Sequence, residues 1–71
     1  MEYNTNSNDP VVHTAKIKTD LSNLVNHLRS DIEKLDNPAA KALFEVSAEV
    51  LLGLHKAFSD FEQKNEKAWQ A

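Results

Sequence analysis

The stretch from Pro38 to Gln70 limits the possible folds more than any other part of the chain. It contains no further proline and a single glycine, Gly53, and it is rich in alanine, leucine, glutamate and lysine, all good helix formers. It also holds most of the large apolar residues of the C-terminal half: Leu43, Phe44, Val46, Val50, Leu51, Leu54, Phe58, Phe61 and Trp69. Drawn on a helix, these residues form two adjacent seams. Leu43, Val46, Val50, Leu54, Ala57 and Phe61 make one seam. Phe44, Leu51 and Phe58, spaced by heptads, make the other, with Trp69 further along. Together they cover about 160° of the circumference, wider than the stripe of about 100° that one neighbouring helix usually covers.

The partner for this helix lies upstream. Ile17, Leu21, Leu24, Val25, Leu28, Ile32 and Leu35 recur at steps of three and four, which defines an amphipathic helix with one narrow apolar face. Asp31 interrupts that face one heptad after Leu24. Two similar devices set the helix starts. Asp9-Pro10 and Asn37-Pro38 each pair a side chain suited to capping with a proline suited to the first helical position. A residue before proline is pushed out of the α region, so the first helix is expected to stop near Asp36. So short a connection folds the second helix back on the first, giving an αα-hairpin.

The expected architecture is therefore all-α: a polar, disordered tail over 1–10, helix one over about 11–36, a turn at Asp36–Pro38 and helix two over about 38–70. The hairpin core is expected from Ile17, Leu21, Leu24, Leu28, Ile32 and Leu35 on the first helix and Leu43, Val46, Val50, Leu54 and Phe61 on the second. The second seam, with Phe44, Leu51 and Phe58, flanked by His55 and extended by Trp69, is then expected to face another chain. The helices also differ in length, about 39 Å against about 50 Å. That difference leaves the end of the second helix, with Trp69, overhanging.

Size points the same way. A 71-residue chain is at most one small domain. Cores of this size rarely supply more than about 3–5 kcal/mol without a disulfide, a metal or self-association. Cysteine is absent, which removes disulfides and thiolate metal sites. Self-association into a homodimeric four-helix bundle with coiled-coil-like heptad packing is the reinforcement that is left. A helical segment of another protein laid in the same groove is the variant of this expectation.

Other function classes find little support in the residues. Eight cations are intermixed with eleven anions, for a net charge of −3, and no basic face stands out. A nucleic-acid reading would rest on Lys16, Lys18, Arg29 and Lys34 of the first helix. His13, His27 and His55 include no pair four residues apart, and Leu52 stands where a Glu-x-x-His di-iron motif would need its glutamate, so no metal or other cofactor is expected. Ser47 lies in the apolar face with no base beside it, and its hydroxyl can bond back to the Leu43 carbonyl. No nucleophile, base and orienting group converge, so no catalytic residues and no enzyme are expected. An apolar ligand held among Phe44, Phe58 and Phe61 is a further alternative.

The N-terminus lacks the cationic start and apolar run of a secretory signal, and Val50-Leu51-Leu52 is far shorter than a membrane span. A cytoplasmic protein without membrane contact is the resulting expectation. The function expected is a non-enzymatic protein–protein interaction module, an adaptor, regulator or assembly factor that acts as a homodimer.

Overall fold

The computed structural model describes the backbone of residues 8–70 and the side chains of residues 8–64. Two helices make up the described fold: α1, Pro10–Ile32, and α2, Pro38–Gln70. They pack against each other as an antiparallel hairpin.

Both helix starts follow from local chemistry. The Asp9 carboxylate accepts from the Val11 N–H at 2.9 Å, and the Asp9 carbonyl accepts from Val12 at 3.1 Å. Pro10, which has no N–H to leave unpaired, takes the first helical position. At α2 the Asn37 side-chain oxygen accepts from the Ala40 N–H at 3.0 Å, and the Asn37 carbonyl accepts from Lys41 at 3.0 Å. Asn37 thus satisfies amides that an uncapped helix end would leave to water.

α1 stops at Ile32, short of the expected end near Asp36. The Asp31 carbonyl accepts from both Lys34, at 2.9 Å, and Leu35, at 3.1 Å, which winds the chain into a turn over Glu33 and Lys34. The chain needs these residues to reverse direction before the extended conformation imposed ahead of Pro38. Arg29 in the last turn of α1 complements the negative end of the helix dipole. Leu35, although outside the helix, still turns inward and is half-buried.

The hairpin is a plate. Its principal extents are 51 × 26 × 12 Å, and its thickness is that of one helix with its side chains, about 10–12 Å. The radius of gyration is 15.5 Å, against about 11 Å for a compact domain of this length. Among the described residues only Val25 and Ala48 are buried, and no large side chain is fully enclosed. A single layer of two helices has a contact line between them but no interior volume.

Candidate interaction surface

The contact line runs along one phase of α2. Ala48 is its buried centre, and Phe44, Leu51, His55, Phe58 and Glu62 lie on the same stripe, all half-buried. The small Ala48 side chain lets the two backbones approach, while the aromatics on either side fill the space towards α1. Phe58 borders a hollow with Pro10, His13 and Thr14 of α1, and Leu51 borders a groove with Leu24 and Leu28. His55 lies beside Lys18, Thr19, Ser22 and Asn23. On α1 the facing stripe is Leu21, Val25, Leu28 and Ile32, with Val25 only 3% exposed.

This corrects the expected roles of the two seams. Phe44, Leu51, His55 and Phe58, expected to face another chain, are covered by α1 of the same chain. Leu43, Val46, Val50, Leu54 and Phe61, expected in the hairpin core, are exposed instead, the first three at 63%, 61% and 58%. Ile17 and Leu24 of α1, also expected in the core, are exposed at 38% and 46%. Leu21, Leu28, Ile32 and Leu35 are each half-buried. The Trp69 side chain lies outside the described residues.

A polar clamp fixes which phase of α2 turns inward. Glu62, on the Phe44–Phe58 stripe, accepts from Lys18 Nζ at 2.7 Å through one carboxylate oxygen and from the Thr14 hydroxyl through the other. Both sides of the ion pair are largely covered. These bonds, Lys18 first and then Thr14, hold the Glu62 carboxyl below its ordinary pKa, and burial opposes them. Lys18, one of the cations a nucleic-acid surface would need, is thereby committed within the fold. The periodicity of the apolar residues does not mark Glu62. The available signal was its phase, in register with Phe44, Leu51 and Phe58, and a lysine on the facing stripe of α1.

The two broad sides of the plate differ in character. One side is polar, bordered by Lys18, Thr19, Ser22, Asn23, Arg29, Glu45 and Glu49. The other is apolar. There Leu24 and Leu28 of α1 share a groove with Val46, Val50 and Leu51 of α2. Towards the open end of the hairpin, Ala57 and Phe61 continue the surface to Pro10. Ser47, within this side, donates its hydroxyl to the Leu43 carbonyl at 2.7 Å, as the sequence suggested. Asp31, near the turn, lies 3.1 Å from His27.

No family model, no curated protein and no solved structure matches the chain. The surface has to be read from its own residues. Among those described, no three histidine, cysteine or acidic side chains gather into a metal-binding group, and no helix is long and apolar enough to cross a membrane. What the described residues do bring together is a continuous band of exposed aliphatic and aromatic side chains. It follows the length of α2 from Leu43 to Phe61 and includes Ile17 and Leu24 from α1. Soluble monomers rarely leave so long a band uncovered, and such bands mark sites of association. Leu52, exposed at 42% on the other flank of α2, is an isolated apolar residue of the ordinary kind.

Proposed function

We propose that the protein is a non-enzymatic interaction module that works as a homodimer, two hairpin plates laid apolar side to apolar side as a four-helix bundle. The observation that carries this reading is the exposure of Leu43, Val46, Val50, Leu54 and Phe61 on a plate with two buried residues among those described. A plate one helix thick has no interior until a second layer is added, and domains are built from at least two layers around a core. The broad side of the plate measures 51 × 26 Å. That is ample for the surface of about 800 Å² per partner that a stable dimer covers.

The second layer would bury the exposed seam and leave the polar sides outward on both faces of the bundle. An adaptor, regulator or assembly factor needs this arrangement: a stable scaffold whose outer surface is free for other proteins. Thermal unfolding followed by circular dichroism at several protein concentrations tests the reading. Coupled folding and association predict a melting temperature that rises with concentration. A melting temperature that stays constant from about 1 to 100 µM would overturn it.

A further inference from the structure

We infer that the two copies meet in opposite directions, the turn of one against the open end of the other. The two-fold axis then crosses the helices at Leu24 of α1 and between Val50 and Leu54 of α2. This deepens the homodimer reading above and rests on it; the occupant of the apolar side is a second copy of this chain.

Two plates laid face to face have two symmetric arrangements. When the axis runs along the helices, both turns share one end and each α1 faces the other copy's α2. When the axis crosses the helices, the turns lie at opposite ends and each helix faces its own counterpart, antiparallel. The crossed arrangement makes a demand the other does not. The exposed seams of α1 and α2 must be centred at the same level of the hairpin.

They are. Within the α2 seam, bulky Leu43 and Phe61 are outer members, small Ser47 and Ala57 lie inside them, and Val50 and Leu54 form the middle; exposed Val46 stands outside this symmetry, since its counterpart is the half-buried Phe58. Each of the matched pairs is equidistant from Leu52, so an antiparallel copy sets like sizes opposite one another there. On α1, Leu24 is exposed at 46% and opens onto the same groove as Val50 and Leu51. It is therefore level with the middle of the α2 seam. One axis centres both seams.

Charge favours the same arrangement. Ile17 and Asp31 stand one heptad to either side of Leu24. The crossed axis brings Asp31 of each copy to Ile17 of the other, beside Lys16 at the rim, at opposite ends of the bundle. The lengthwise axis instead gathers both Asp31 carboxylates at one end, against the apolar side of α2, where an acid is costly to cover.

The chain has no cysteine, so Asp36→Cys in the exposed turn accepts one nitroxide per copy. Double electron–electron resonance on the labelled 71-residue chain then reads the separation of the two turns. Fourteen or so residues of α2 separate the turn from the axis, so the crossed arrangement predicts a distance near 42 Å, at 1.5 Å per residue doubled by symmetry. A distance below about 25 Å overturns the orientation and leaves the dimer standing. An absence of dipolar coupling overturns the dimer and the orientation with it. Lys64→Cys, near the open end, repeats the measurement should labelling of the turn perturb the fold. It is expected near 36 Å, twelve or so residues from the axis on the same basis.

Discussion

Placing a carboxylate at the middle of the exposed seam separates the stability of the hairpin from that of the dimer. Val50 is 58% exposed in the hairpin and lies mid-helix in α2. Glutamate has the better helix propensity there, since valine's β-branch restricts its side chain. Within one hairpin Val50→Glu should therefore shift stability by no more than about 0.5 kcal/mol. In the dimer the effect is larger. Burying a valine fully contributes about 1.5–3 kcal/mol. The 58% still uncovered corresponds to about 1–1.5 kcal/mol per copy, and two copies lose it. A carboxylate without a partner in the closed interface adds a desolvation cost of several kcal/mol per ion unless it is protonated or escapes to the rim. A total of at least about 4 kcal/mol weakens the dimer about a thousandfold. Sedimentation equilibrium gives the dissociation constant, and far-ultraviolet circular dichroism checks that helix is retained. Leu52→Glu, on the opposite flank beside Glu45 and Lys56, is the matched control and should leave the constant within about threefold, since exposed substitutions cost little. Equal dissociation constants for wild type and Val50→Glu, or equal losses for both variants, would refute the assignment of the apolar side as the interface.

Three further outcomes follow from the hairpin itself. The Glu62 carboxyl is held below its ordinary value of 4.5 by Lys18 and Thr14, so it stabilises the fold above the unfolded pKa, and that contribution is lost as pH falls through the lowered folded value. Acid titration of unfolding should show Glu62→Gln with a shallower loss below about pH 4.5 and a cost of roughly 0.5–1 kcal/mol at neutral pH; identical acid profiles would remove the clamp from the fold's energetics. A Cβ added at Gly53 meets nothing within 4 Å, so Gly53→Ala should raise stability by about 0.5–1 kcal/mol, read as a melting temperature several degrees higher. A decrease would mean that a second copy approaches this position closely. Removing the cap with Asn37→Ala leaves the Ala40 N–H without its partner and should cost about 1 kcal/mol in denaturant midpoint analysis; no change would show that water caps α2 equally well.

The helices were legible because their signals are local. Asn37-Pro38 starts α2 where a cap and a first-turn proline predict, and the steps of three and four from Ile17 onward mark α1. The end of α1 was read too late, since the turn closed by the Asp31 carbonyl depends on how much chain is needed to reverse direction. The choice between the seams of α2 was not legible from periodicity. Both follow heptad spacing, both are apolar, and they differ by about 100° of rotation about the helix axis. That rotation is a tertiary property, fixed by the Glu62–Lys18–Thr14 clamp and by the close approach at Ala48. An acid in phase with Phe44, Leu51 and Phe58 breaks that seam near its end, whereas the seam of Leu43, Val46, Val50, Leu54, Ala57 and Phe61 contains no charge. An uncharged seam suits a surface that another molecule covers completely. An edge that ends in an acid suits contact with a helix carrying a lysine.

Excess apolar surface on α2 was also legible, although its location was misread. Two seams on one helix and a narrow stripe on its neighbour cannot all be covered within a two-helix layer, whichever seam turns inward. The result is a plate 12 Å thick with exposed leucines, valines and Phe61 along one side.

Light scattering coupled to size exclusion, on the unmodified chain between about 1 and 100 µM, asks most directly whether a second copy covers that side. The prediction is a mass of twice 8.0 kDa over the upper part of the range. A mass of 8.0 kDa at every concentration would contradict it.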